Sequence, residues 1–489
     1  MDPMAIKDNE TLPVLDVFNC PLAGSASVEA SAGTGKTWAI CGLYLRLLVE
    51  AALGVEQILV VTFTNAATAE LRTRIRDRLA TVLHALESGG AGGGDPFVEN
   101  FLRSVAARGG ETAQQAPSRL RAALLSFEEA AIFTIHGFCQ RALGEVPFAA
   151  VQPFRLEVET DDGEMIREAA ADYWRRIAAR YEADELRTIL DGGLNPEWLA
   201  REFKRLMNRP TARLLFPNPS GDMERSARRV LWLKRIILRC GPHAVRAAKR
   251  RRRVISYPDM LYNLYEALTG GRLPWLAEAL RARFPAALID EFQDTDPLQF
   301  AIFRSLYFGK GTIFLVGDPK QAIYSFRSAD LHTYLAATEH VDRQWTLREN
   351  QRSEPGLIDA VNAFFGAHRH VFVHPRIRYR QVVRGGKPLR LLQGDPEPRP
   401  PLSVWLLPPG TKTSPQKVGD AASLTLKAMS REMSRLLAGG RRGQIKIGTD
   451  PLQPRDIAVL VRTRAQGRTV KLALARQGIA SVDITELSV

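Results

Sequence analysis

The segment Ala30-Ser31-Ala32-Gly33-Thr34-Gly35-Lys36-Thr37 sets two glycines beside a lysine and a threonine, between an apolar run and a helix-like repeat. Residues of these types in this order cradle phosphate. The glycines let successive backbone N–H groups turn toward phosphate oxygens at a helix N-terminus, where the helix dipole favours an anion. Lys36 is placed to reach β- and γ-phosphates, and the Thr37 hydroxyl to ligate Mg²⁺. The Gly-Lys-Thr end fits the Walker A pattern, with Ala30 where the first glycine is usual. A second candidate is Ala287-Leu288-Ile289-Asp290-Glu291, an apolar run that ends in paired carboxylates. Asp290 would hold Mg²⁺, directly or through water, and Glu291 would orient and deprotonate an attacking water. Taken singly, the first segment is also a turn of small residues and the second a strand meeting solvent. Together they read as the two halves of an ATP·Mg²⁺ site.

The elements that must position these residues are legible as short apolar runs. Ser27–Ala30, Ile58–Val61, Ala286–Ile289 and Ile313–Val316 each stop at small, polar or charged residues. Runs of this length, separated by helical patterns, predict buried parallel strands whose C-terminal ends carry the ligand site. Ile40, Leu43, Tyr44, Leu47 and Leu48 repeat at helical spacing and predict an amphipathic helix straight after the glycine loop. The expected fold class is α/β: a P-loop NTPase (RecA-like) parallel sheet with helices on both faces. The stretch 151–253 is rich in Arg, Glu and Ala and reads as an inserted helical domain. Residues 1–150 and 254–345 then form one domain around the glycine loop, and 346–489 a further region, with a strand at Asp456–Arg462 and a helix from Thr469 to Gln477. Ser88–Gly94 reads as a flexible connector, and the basic run Arg246–Arg253 either as a solvated helix end or as a DNA-facing patch.

The chain has 489 residues, 45% hydrophobic and 25% charged, enough for several soluble domains. No apolar run reaches the roughly 18 residues that span a bilayer, so no membrane partner is expected. The four cysteines, Cys20, Cys41, Cys139 and Cys240, are scattered without a CxxC pair, which speaks against a zinc site or disulfide framework and suits a reducing cytosol. A net charge of +14 favours a polyanionic partner, because Lys and Arg displace counterions from phosphates.

With Asp290-Glu291-Phe292-Gln293-Asp294-Thr295-Asp296-Pro297 the sequence resembles the superfamily 1A (UvrD/Rep-like) helicases, in their RecB-type branch. Five further motifs follow the same pattern: the glycine loop, Val60–Ala67, Thr134–Phe138, Gly317–Arg327 and Leu347–Ser353. The resemblance runs from about residue 20 to 485, and implies that 1–150 and 254–345 are the first motor domain and 346–489 an incomplete second RecA-like domain. It implies an ATP-dependent DNA helicase/translocase subunit acting in double-strand-break repair and recombination, on single-stranded and duplex-end DNA, with RecC-like and RecD-like subunits as partners. It assigns catalytic roles to Asp290 and Glu291, γ-phosphate sensing to Gln321, and an arginine finger to Arg352. It further implies that Thr62, Phe63, Thr64, Asn65, Thr134 and His136 line a single-strand track, with Phe138 either on that track or packed in the core, and with Tyr324 and Phe326 as faces on which bases stack.

The sequence departs from the family pattern at several positions. No glutamine precedes the glycine loop to read adenine, the first being Gln57; Ser328 replaces a glycine, Gln351 an aromatic, and Pro258 an acid in Ser256–Leu261. The resemblance also implies that the chain stops before motifs V and VI and before a nuclease domain. The alternative function is therefore an ATP- and single-strand-binding module without productive hydrolysis or unwinding.

Overall fold

A computed structural model describes residues 12–89, 93–144, 157–159, 161–216, 224–271, 273–323, 330–368, 371–372, 374–407 and 417–483. The chain divides into two compact units, Met1–Arg348 and Glu349–Val489. In the first, chain order runs β1 (Ser25–Ala30), α1 (Lys36–Val49), β2 (Ile58–Thr62), α2 (Asn65–Glu87), α3 (Pro96–Arg108), α4 (Gly110–Leu125), β3 (Ile132–Thr134) and α5 (Ile135–Gly144). Next come β4 (Glu157–Glu159), the helices α6 (Gly163–Ala178), α7 (Ala183–Asp191), α8 (Pro196–Asn208) and α9 (Arg225–Arg251), and β5 (Val254–Ser256). The unit closes with α10 (Tyr257–Thr269), α11 (Leu276–Arg283), β6 (Ala286–Ile289), α12 (Pro297–Tyr307), β7 (Thr312–Gly317), α13 (Leu331–His340) and β8 (Arg343–Leu347).

Six of these strands form one parallel sheet in the order β3-β2-β6-β7-β1-β8. All four strands expected from apolar runs lie in it. Two members were not read from the sequence: β3, only three residues long, and β8, whose Arg343-Gln344-Trp345 opening is polar and only partly buried. Along the strands, alternate side chains face opposite sides. Ile58, Val60, Ala286, Leu288, Phe314 and Val316 join one core with α1 to α4. Leu59, Val61, Ala287, Ile289, Ile313 and Leu315 between them are buried as well, so both faces are covered. Helix α1 is buried from Ala39 to Val49, not along one stripe. Its Arg46 is tolerated inside because the guanidinium donates to Val17 O and Cys20 O and pairs with Glu50.

Helices α6, α8 and α9 build a separate core around Ile166, Leu199, Phe203, Leu233 and Ile237. At Gly241 an added Cβ would lie 2.0 Å from the Phe203 ring, so only glycine lets α9 approach α8 this closely. Parallel pairing of β4 with β5 ties the two ends of this helical stretch together. The basic run at the end of α9 is neither simply solvated nor a continuous patch. Arg250, Arg251 and Arg253 are exposed, but Lys249 is buried and bonded to Asp162, Asp259 and Ser256, and Arg246 stacks on Tyr262 with its guanidinium carbon 3.6 Å from the ring centre.

In the second unit, β9 (Glu349–Asn350) pairs with β10 (Val383–Arg384), and β11 (Leu392–Gln393), β12 (Lys446–Ile447) and β13 (Asp450–Pro451) form a small antiparallel sheet. Helices α14 (Pro355–Gly366), α15 (Val418–Arg441) and α16 (Arg464–Ala475) complete it, with Met433, Leu437, Ile445, Leu452, Leu474 and Ile479 as a core. The expected strand at 456–462 does not form. Val459, Leu460 and Val461 are exposed, and among the described residues no neighbouring strand pairs with them. The helix expected at Thr469 begins earlier, at Arg464, where Thr463 and Gln466 make a capping box. Among the described residues a second sheet of the kind in the first unit is not distinguished.

Candidate nucleotide-binding site

The site is assembled at the C-terminal ends of β1, β6 and β7, neighbours in the sheet. Burial of Val28 and Ala30 fixes β1, and the chain then turns through Gly33 (φ 79°) and Gly35 (φ 92°). Both φ values lie in the left-handed region that L side chains rarely adopt. Thr34 steadies the turn through bonds from its backbone N–H and its hydroxyl to Ser31 O. Gly35 caps α1, so Lys36 and Thr37 open the helix and the loop meets its N-terminal end.

Strand β6 delivers the carboxylates. Glu291 accepts a hydrogen bond from Lys36 Nζ at 2.5 Å, which puts the glycine loop and the Asp-Glu pair at one point. Glu291 is a non-glycine residue in left-handed geometry, φ 50° and ψ 43°; backbone strain of this kind concentrates at functional sites. Burial, then the negative charge of Glu291, pushes the Asp290 carboxyl up to about 6, and the positive charge of Lys36 only partly offsets them. An excess of negative charge at a buried strand end suits a divalent cation, whose charge would hold Asp290 ionised. Among the described residues no group of three or more His, Cys, Asp or Glu side chains could enclose a metal. A nucleotide-borne Mg²⁺ needs fewer, since phosphates and water fill most of its octahedron. Thr37 and Asp290 are the residues that could hold it.

Strand β7 brings the third part. Asp318 follows it and is held on two sides: its backbone N–H donates to Gln293 Oε1 at 2.9 Å, and its carboxylate accepts from Gln321 Nε2 at 2.8 Å. Lys320 forms buried ion pairs with Asp318 (2.7 Å) and with Glu29 (2.6 Å), one residue before the glycine loop. Of the expected catalytic residues, Asp290, Glu291 and Gln321 are thus joined to Lys36 through one hydrogen-bonded cluster, while Arg352 belongs to the second unit, exposed, with its N–H capped by Asn350 Oδ1. Gln293, Asp294, Glu29 and Lys320 were not singled out from sequence. The pairing of Glu29 with Lys320 carried no local signal, being set by the adjacency of β1 and β7.

The expected strand track divides. β2 and β3 are neighbours in register, with Thr62 opposite Thr134, so the two motifs lie side by side. Thr64 and Asn65 are exposed at the start of α2, and Phe63 is half-buried. Thr62 is buried and spends its hydroxyl on Thr64 O and Thr68, and Thr134 Oγ1 accepts from Gly137 N–H at the start of α5. His136 is half-buried against the exposed ring of Tyr257, 5.0 Å between centroids, and burial pushes its pKa down. Of the two readings of Phe138, its surroundings favour the core: fully buried, it packs on Phe284 and Phe303. Tyr324 and Phe326 lie outside the described residues, as do Ser328 and residues 90–92 of the connector.

Residues 15–342 match the family described as the UvrD/REP helicase N-terminal domain. The chain belongs to the UvrD/Rep helicase family. Among curated relatives this helicase-family chain is 30% identical to the RecBCD enzyme subunit RecB of Escherichia coli, over 97% of its own length and 49% of that protein's. It is 31% identical to RecB of Mycobacterium tuberculosis (94% and 40%) and 28% identical to that of Haemophilus influenzae (98% and 50%). The chain therefore spans about half the length of the curated relatives it matches, or somewhat less. Among its described residues no helix is long and apolar enough to cross a membrane, and the cysteines Cys20, Cys41, Cys139 and Cys240 are unpaired.

Proposed function

We propose that this chain is the ATP- and DNA-binding portion of a RecB-type helicase/translocase that acts on DNA ends in recombination and break repair. The observation that carries this reading is the 2.5 Å contact between Lys36 and Glu291, with Asp290 one residue away at the end of the same buried sheet. Mg·ATP supplies the cleavable phosphoanhydride bond and the charge it releases. With it bound, Lys36 would leave Glu291 for the β- and γ-phosphate oxygens, Thr37 and Asp290 would hold the metal, and the freed Glu291 carboxylate would orient water and take its proton. Gln321, tied to Asp318, responds to the γ-phosphate. Exposed Thr64 and Asn65, with His136 nearby, offer polar contacts to a single strand. The finger role of Arg352, and RecC-like and RecD-like partners, rest on the resemblance and on the relatives' names.

Turnover of ATP should be stimulated by single-stranded DNA and reduced at least about a hundredfold by Lys36→Ala, the scale of losing one preorganised cation at a developing charge. Turnover that ignores DNA, or survives that change, counts against the reading. One observation favours a second reading, a binding module without productive turnover: the apolar run Val459–Val461 of the second unit is left without a strand partner among the described residues. That reading expects ATP-analogue and oligonucleotide binding with no DNA-stimulated hydrolysis.

A further inference from the structure

Gln293 is 2% exposed and uses both ends of its amide. Nε2 donates to Glu291 Oε2 at 2.7 Å, the oxygen that also holds Lys36, and Oε1 accepts the Asp318 backbone N–H at 2.9 Å. The chemistry fixes the orientation of the amide, since a carboxylate needs a donor and an N–H needs an acceptor. Beyond Asp318, its carboxylate holds Gln321 and Lys320, and Lys320 holds Glu29 at the start of the glycine loop. Space for the bridge is made from the other side. A Cβ on Gly317 would lie 2.6 Å from Gln293 Oε1 and 3.1 Å from Gln293 N, so glycine at the end of β7 admits this side chain.

We propose that Gln293 is a positioning residue that links the water-orienting carboxylate Glu291 to the Asp318–Gln321 loop, so that what happens at the γ-phosphate is felt at the loop and the converse. The proposal rests on the nucleotide reading of the site. Glutamine is the side chain that fits: asparagine is one methylene too short to span both partners, methionine fills the volume without either bond, and glutamate would set a second anion against Glu291. By linkage, a group that couples two sites changes how ligand at one alters affinity at the other, without necessarily changing either affinity alone.

The test uses the whole chain and the variant Gln293→Met, with two readouts. The first, hydrogen exchange at the Asp318 amide, needs no activity: it should be protected in the wild type and exchange about tenfold faster in the variant, while Ile313–Val316 stay protected. The second is the affinity of a fluorescent oligothymidylate with and without a non-hydrolysable ATP analogue. The analogue should change it by about fivefold or more in the wild type and by less than about twofold in the variant, which still binds the analogue as the wild type does. Unchanged exchange at Asp318, or full coupling retained in the variant, overturns the proposal. Loss of analogue binding together with faster exchange across β7 also overturns it, as that describes a merely structural residue. If the wild type binds no analogue, the nucleotide reading itself fails and the coupling falls with it, a result recognisable because the exchange readout is then still as expected.

Discussion

Phe138 separates packing from DNA contact in a single measurement. Its ring is fully buried, with Phe284 and Phe303 at 6.0 and 6.2 Å between centroids. Phe138→Ala removes the buried ring and leaves a cavity, a loss of about 3–5 kcal/mol. Unfolding entropy of roughly 2.1 cal/mol/K per residue gives about 0.7 kcal/mol/K for a unit of this size, so Tm of the first unit should fall by about 4–7 °C. Phe138→Leu keeps most of the volume and should cost about 1–1.5 kcal/mol, or about 2 °C. A base stacked on the ring would make a different signature: loss of about 1–3 kcal/mol in single-strand affinity for either variant. Scanning calorimetry and oligonucleotide anisotropy at fixed salt, well below Tm, read the two effects separately. A Tm unchanged within about 1 °C, with affinity reduced tenfold or more, refutes the core assignment.

Lys249→Met takes the buried ammonium from the Asp162 and Asp259 carboxylates and leaves Asp259 only the Arg246 cation, at 3.8 Å, so the first unit should lose about 3–5 kcal/mol in denaturant titration; adding Asp259→Asn should recover part of it, and a loss below about 1 kcal/mol sinks this account. Asp290 carries a pH prediction. Its folded pKa, about 6, lies above the ordinary value of 3.8, so the folded state holds the proton longer and stability falls as pH rises from about 4 to 6. Asp290→Asn should therefore raise the thermal midpoint of the nucleotide-free protein at pH 7.5 but not at pH 4, while abolishing Mg²⁺-dependent ATP turnover; equal midpoints at both pH values speak against a desolvated carboxylate.

Most of the site was legible because its parts are local. The glycine loop needs two left-handed backbone positions and a lysine next to them, and Gly33, Gly35 and Lys36 show this in sequence. Asp290 and Glu291 could be read from an apolar strand that stops at two acids. Where the reading failed, a neighbour in space decided the outcome. Amphipathic periodicity on α1 gave one buried face, but α2, α4 and the segment Val17–Cys20 pack on it too and bury the rest, Arg46 included. The apolar run at 456–462 has strand propensity, and a strand forms only when another strand lies beside it. For Phe138 the motif left core and DNA track both open, and the neighbours Phe284 and Phe303 place it in the core.

The sequence by itself determined the glycine turn and the paired-acid strand end of the candidate site, since glycine conformations, a helix start and paired acids are local properties written in consecutive positions. Only the tertiary structure decided how they are wired. Strand order β6-β7-β1 sets Glu291, Asp318 and Glu29 at adjoining strand ends, and so lets Gln293 and Lys320 bridge residues remote in the chain. No periodicity or composition encodes that adjacency, because it comes from burying both faces of a parallel sheet whose neighbours are joined by long crossovers.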